Sequence, residues 1–312
     1  MTTLRELGER EVIRRLARVL GEPPEGVVGI GDDTAVIPMD GDRDGLLTSD
    51  AVVEGIHFLP DTEPLRIGHK AVGRVLSDFA AMGGVPAWAL VDVVAPASTE
   101  MERLESVYLG AQRLAGAHGL RIVGGDTAGG PLLELHVFGV GWVAAGKAVR
   151  RSGARPGDRI FVTGSLGGSL AGKHLDFEPR VAEGRWLGES GFVTAMIDVS
   201  DGLIADLRHI IEESHVGAEI LGETIPVSDA ARSLTGRDSA LARALHDGED
   251  FELLFCVMPD QAGAFADAWR KRFKLPCTEI GRVTEERGRL TLLQCERRLD
   301  LDADGYEHFR SR

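Results

Sequence analysis

The sequence predicts a mixed α/β (α+β) fold, with strands and helices interleaved in two domains. Three observations predict it. Segments with the period-2 and period-3.6 hydrophobic patterns of strands and helices alternate along the chain. The 312 residues are enough for two ordinary domains with substantial cores. A basic stretch containing Gly and Pro, AAGKAVRRSGARPGDR at 144–159, is short of apolar residues and divides the chain into 1–145 and 146–312.

The elements follow in order. MTTLRELGEREVIRRLARVL carries an apolar stripe at Leu4, Leu7, Ile13, Leu16 and Leu20 between charges, which predicts an amphipathic helix. A signal peptide would need an uncharged apolar centre, so a cytoplasmic protein is expected. GLLTSDAVV (45–53) reads as a strand. Residues 66–81 read as a helix with Val72, Val75, Leu76 and Phe79 on one face. Residues 100–118 read as a second helix, with Met101, Leu104, Val107, Tyr108, Ala111 and Leu114 on its apolar stripe and Gly119 stopping it. RIVGGD and LLELHVFGVGWV read as strands. The second half opens with the strand RIFVTG and a Gly-rich turn, SLGGS. It continues as strand MIDVS, helix DGLIADLRHIIEE, strand FELLFCV, helix AGAFADAWRKRF and a strand pair after 278.

Bulk properties exclude several classes. A net charge of −14 argues against nucleic-acid and anionic-membrane binding, both of which need a basic footprint. No apolar run is long enough to span a bilayer. Cys256, Cys277 and Cys295 lack CxxC spacing, so neither a disulfide framework nor a zinc site is indicated. There is no GxxxxGK[ST] loop, so a P-loop is excluded.

Carboxylates stand where they are expensive. Asp32 and Asp33 follow two glycines in GIGDDTAVI, and Asp50 ends LLTSD behind the hydroxyls of Thr48 and Ser49. Asp78 falls in the last turn of its helix, where the dipole disfavours an anion. Asp126 follows two glycines in VGGDT, and Asp198 and Asp201 flank Ser200 in IDVSDG. Each has a bland reading as a turn acid or a helix-start residue. As a set they point to a hard divalent cation, Mg²⁺, bridging carboxylates to nucleotide phosphates.

These residues resemble the thiamine-monophosphate kinases, a family within the aminoimidazole ribonucleotide synthetase-like superfamily. The resemblance is carried by GIGDDTAVI, TSDAVVEGIHF, KAVGRVLSDFAAMGGVPAW, VGGDT, RSGARPGD, IDVSDGLIADL, DGEDFELLF and GYEHF, in that order over nearly the whole chain. It implies the two-domain fold of that superfamily and direct in-line transfer of the ATP γ-phosphoryl to thiamine monophosphate. It implies Mg²⁺ ligands at Asp33, Thr48, Ser49, Asp50, Asp78, Asp126, Asp198 and Asp201, and leaves K⁺ open as a further cation. Tyr108, Gly125, Asp126, Arg151 and Ser200 match ATP-binding positions, and His57, Glu249 and Tyr306 match the thiamine-phosphate region. It also implies a homodimer built through the first domains. No dedicated catalytic base is expected, because the attacking phosphate oxygen is already ionised. Two alternatives stand beside this reading: a superfamily synthetase with another acceptor, and a non-catalytic Mg·nucleotide-binding regulator.

Overall fold

The structure, a computed structural model, describes residues 2–295 and 297–301. Tyr306 and the GYEHF motif lie outside the described residues.

Two mixed sheets organise the chain. The first holds β1 (Ala35–Pro38), β2 (Arg43–Val53), β3 (Val85–Ala95), β4 (Arg121–Gly124), β5 (Thr127–Gly129) and β6 (Glu134–Ala144). Its order is β1-β2-β6-β3-β4, with β5 also pairing β3. The second holds β7 (Arg159–Thr163), β8 (Val193–Asp198), β9 (Gly217–Leu221), β10 (Leu253–Val257), β11 (Cys277–Thr284), β12 (Leu290–Gln294) and β13 (Arg297–Asp300). Its order is β13-β12-β9-β11-β7-β10-β8.

The helices are α1 (Leu4–Leu7), α2 (Glu9–Leu20), α3 (Pro64–Ala81), α4 (Met101–Ala117), α5 (Lys173–Asp176), α6 (Val181–Ser190), α7 (Leu203–Ser214), α8 (Asp229–Ser233), α9 (Ala240–His246) and α10 (Ala262–Arg272). The single N-terminal helix expected from the apolar stripe is broken by Gly8 into α1 and α2, and Leu4, Ile13, Leu16 and Leu20 are exposed.

Pro64 starts α3 at a position where its missing N–H costs nothing. The expected face, Val72, Val75, Leu76 and Phe79, is fully buried. α3 lies over the first sheet, crosses α4, and also touches α5, α6 and β8 of the second half. Period-2 alternation makes the second sheet two-sided. On β10, Leu253, Phe255 and Val257 join the core that contains α3, while Leu254 and Cys256 face a separate core with Leu203, Ile204 and Leu207 of α7. The α3 core therefore continues from one half into the other and places the ends of β2, α3 and β8 together.

Two boundaries moved. α7 begins at Leu203 rather than 201, because the Asp206 carboxylate accepts the N–H groups of Asp201 and Gly202 and fixes them outside the helix. β10 begins at Leu253 rather than Phe251, because Glu249 and Phe251 adopt positive φ (62° and 51°), which no ladder accommodates.

Candidate functional site

The site is built on one stripe of α3. Lys70, Arg74 and Asp78 are spaced four apart and so share a helix face, which the helix turns toward the second half. Lys70 is fully buried; its Nζ donates to the His57 carbonyl (2.6 Å) and pairs with Glu249 (2.6 Å). Arg74 pairs with Asp50 (2.7 Å) and more loosely with Glu249 (3.5 Å). Asp78 accepts a short hydrogen bond from Thr48 Oγ1 on β2. Beside it, Ser77 Oγ donates to Asp198 (2.5 Å) at the end of β8.

Asp33, Asp78 and Asp198 each offer a carboxylate oxygen, all within 4.8 Å of one another. Burial, reinforced by the neighbouring carboxylates, drives all three above the ordinary carboxylate range. Asp198 is pushed up to about 7, and the Asp50 charge adds to the rise at both Asp78 and Asp198. Arg151 opposes this accumulation with an ion pair to Asp33 (2.5 Å), and its backbone N–H donates to Asp32 (2.8 Å). Burial pulls the Arg151 guanidinium toward neutrality, but the Asp33 charge and hydrogen bond outweigh it, so its pKa rises. Arg150 pairs with Asp32 (2.9 Å) and Arg74 with Asp50, which leaves Arg151 against Asp33, Asp78 and Asp198, and Asp33 Oδ2 is buried without a hydrogen-bond partner among the described residues. The donor set is entirely hard oxygen. These residues fit a divalent cation such as Mg²⁺.

Several expected ligands stand apart from this group. Ser49 is exposed, and strand alternation puts it on the opposite face of β2 from Thr48 and Asp50. Asp126 is exposed at the break between β4 and β5, its N–H donating to Asp92 (2.8 Å). Asp201 belongs to a second group, with Asp206 and His209. Burial, with Arg151 and Arg10 nearby, drives the His209 pKa down to about 3, so its ring is neutral.

Of the positions matched to nucleotide binding, Tyr108, Gly125 and Asp126 lie near the β3–β4 edge of the first sheet, whereas Arg151 stands at the acid centre beside Asp33 and Ser200 follows β8 of the second sheet. Tyr108 donates its hydroxyl to the Val91 carbonyl (3.2 Å) and lines a cavity of about 820 Å³ with Leu109, Gln112, Leu120, Ile122 and Val123. Gly125 is required by its surroundings. Its φ is 157°, and a Cβ there would sit 1.9 Å from the Val91 carbonyl oxygen.

On the other side, the His57 ring accepts the Val53 N–H at Nδ1 (3.1 Å), and the Glu249 N–H donates to the Ser200 carbonyl (2.6 Å). Lys70 thus ties His57 and Glu249, from opposite halves, to one ammonium. Sequence reading missed Lys70 and Arg74. The signal was available: Lys70, Arg74 and Asp78 recur at four-residue spacing among the apolar positions Ala71, Val72, Val75, Leu76 and Phe79.

The profile described as AIR synthase related protein, N-terminal domain, matches residues 31–143, and the corresponding C-terminal domain matches 155–292. A thiamine-monophosphate kinase from Rhodopirellula baltica is 39% identical over 85% of this chain and 86% of its own. That of Escherichia coli K12 is 36% identical over 97% and 98%. Among solved structures, AaThiL complexed with AMPPCP and TMP superposes with a TM-score of 0.83 at 32% identity, covering 99% of both chains. The thiamine-monophosphate kinase of Stenotrophomonas maltophilia K279a gives 0.74 at 35% identity, over 90% and 94%. At these identities, and over nearly its whole length, the chain belongs to the thiamine-monophosphate kinase family.

Proposed function

We propose that this chain transfers the γ-phosphoryl group of ATP directly to the phosphate of thiamine monophosphate, producing thiamine diphosphate and ADP. The observation that carries the reading is the buried, under-neutralised acid centre of Asp33, Asp78 and Asp198 at the junction of the two halves. A similar chain, AaThiL, has been solved with AMPPCP and TMP together.

In this reading an acceptor phosphate oxygen forms the new P–O bond, and the bond to the bridging β–γ oxygen of ATP breaks. The electron pair leaves on the β-phosphate of ADP. The attacking oxygen is already anionic near neutral pH, so no side chain has to remove a proton. The task is to bring two anions into line. Arg151 offers a fixed positive charge on the nucleotide side, and the Tyr108 cavity supports placement of the adenosine. His57 and Glu249, held by Lys70, border the acceptor side. Mg²⁺, held by Asp33, Asp50, Asp78 and Asp198 with the Thr48 hydroxyl alongside, would neutralise phosphate charge during transfer. Asp126 and Asp201 are peripheral candidates for further ions.

The division at residues 145/146 is supported by the two sheets, which fall on either side of it. A homodimer is supported by the outer face of the first sheet. There Leu47, Trp88, Leu90, Phe138 and Val140 are all exposed on adjacent strands, with Leu47 and Trp88 opposite Val140 and Leu90 opposite Phe138. Among the described residues no helix is long and apolar enough to cross a membrane, which is compatible with a cytoplasmic location.

The test is turnover with thiamine monophosphate and Mg·ATP, beside Asp78→Asn. The wild type should form thiamine diphosphate and ADP one to one. The variant, which keeps an acceptor for Thr48, should lose at least about 100-fold in rate, a typical loss for charge-stabilising groups. Its thermal stabilisation by Mg²⁺ should disappear as well. ADP release without thiamine diphosphate would defeat the acceptor assignment.

A further inference from the structure

α3 sends two cations into the junction, and their surroundings differ. Lys70 is satisfied. Its ammonium is bonded to the His57 carbonyl and the Glu249 carboxylate, both at 2.6 Å, and it has no exposed surface. Its role is to hold those two residues of opposite halves in fixed relation.

Arg74 is not satisfied. Its guanidinium has five N–H donors in a planar fork. One nitrogen bonds Asp50 at 2.7 Å, another reaches Glu249 only at 3.5 Å, and Nε is buried with no hydrogen-bond partner among the described residues. The guanidinium lies 5.9 Å from the Phe251 ring, whose other neighbour is the stacked Phe177 ring (3.9 Å), so hydrophobic walls limit where the fork can move. Its two carboxylates mark the two ends of the site. Asp50 is the acid whose charge acts on Asp78 and Asp198, and Glu249 is the acid bordering the acceptor side. A purely structural ion pair at this depth would be expected to spend its donors, because an unmet buried N–H is costly. A planar cation with unspent donors between those two carboxylates matches a phosphate better than it matches either of them alone.

We propose that Arg74 binds the phosphate of the acceptor, directing its guanidinium N–H groups to the non-bridging oxygens while Lys70 fixes His57 and Glu249 around the rest of the molecule. This rests on thiamine monophosphate being the acceptor. It makes Arg74 the residue that separates a phosphorylated acceptor from unphosphorylated thiamine.

The experiment is calorimetric binding without turnover, in Mg²⁺ and AMPPCP, of thiamine monophosphate and of thiamine to wild type, Arg74→Ala and Arg74→Lys. Wild type should bind the phosphorylated ligand more tightly. Arg74→Ala should weaken thiamine monophosphate by about 10- to 100-fold, the range for charge-assisted hydrogen bonds. Its affinity for thiamine and for AMPPCP should stay within about 2-fold. Arg74→Lys, which keeps the charge and loses the fork, should fall between, and carries the test alone if the alanine variant does not fold. Equal weakening of both thiamine ligands, or unchanged binding of thiamine monophosphate, would overturn the inference. A wild type that binds AMPPCP but not thiamine monophosphate would overturn the acceptor assignment, and this inference with it.

Discussion

Asp250 shows how much a single carboxyl can decide. It has no exposed surface, and burial drives its pKa up to about 7 although Lys173 lies 3.8 Å away and the Gly167 N–H donates to it at 2.7 Å. The oxygen that faces Lys173 accepts no hydrogen bond among the described residues. An unfolded aspartate titrates near 4, so the folded state binds the proton more tightly than the unfolded state does. The resulting stabilisation is complete below about pH 4 and is lost as pH rises through 7, on the order of 4 kcal/mol in all. Asp250→Asn should remove this dependence. Denaturant melts should show the variant gaining on the wild type between pH 4 and 7 and being the more stable protein at pH 8. Equal pH slopes would refute the assignment. The neighbouring Glu252 behaves oppositely: burial would raise its pKa, but Arg180 and Lys173, each within 2.9 Å, outweigh it and hold the carboxylate charged. Nothing in the string GEDFEL distinguishes these two acids. Their difference comes from partners more than 70 positions away in the chain.

At the scale of elements, α3 and α4 cross so closely that glycine is needed on both sides. A Cβ on Gly68 would meet the Val107 carbonyl at 1.8 Å, and one on Gly110 would meet the Leu65 carbonyl at 1.9 Å. Gly68→Ala must therefore push the helices apart, and should destabilise by about 2–4 kcal/mol despite alanine's better helix propensity. A guanidinium melt would measure it, and a neutral or stabilising result would contradict the crossing. The apolar spacing of α3 and α4 made both helices readable in the sequence. β3 was not read at all. VPAWALVDVVA is apolar on both faces, Ala89, Val91 and Val93 inward and Trp88 and Leu90 outward, so it lacks the alternation that marks a half-solvated strand. The acids of the centre were legible because Asp33 stands in a glycine turn, Asp78 in the last turn of its helix and Asp198 at the end of a strand. Lys70 and Arg74 were not, because a charged residue on a helix is ordinarily assigned to its solvent side.

For the molecule as a whole, the uncovered apolar face of the first sheet predicts its assembly. If that face is the seam of a dimer, the wild type should sediment as two chains, and Phe138→Glu, placing a charge at the centre of the face, should sediment as one while leaving the far-ultraviolet dichroism unchanged. A wild type that already sediments as one chain would rule out the interface. Two sheets and a linker suggest two independent bodies, yet Val75 and Phe79 of α3 belong to the same buried cluster as Phe161, Met196, Phe255 and Phe265. Neither half can close that cluster alone. Heating should therefore give one endotherm, with calorimetric and van't Hoff enthalpies in agreement, where two autonomous modules would give two. A gene cut between codons 145 and 146 should yield two aggregation-prone fragments that become soluble only when made in the same cell.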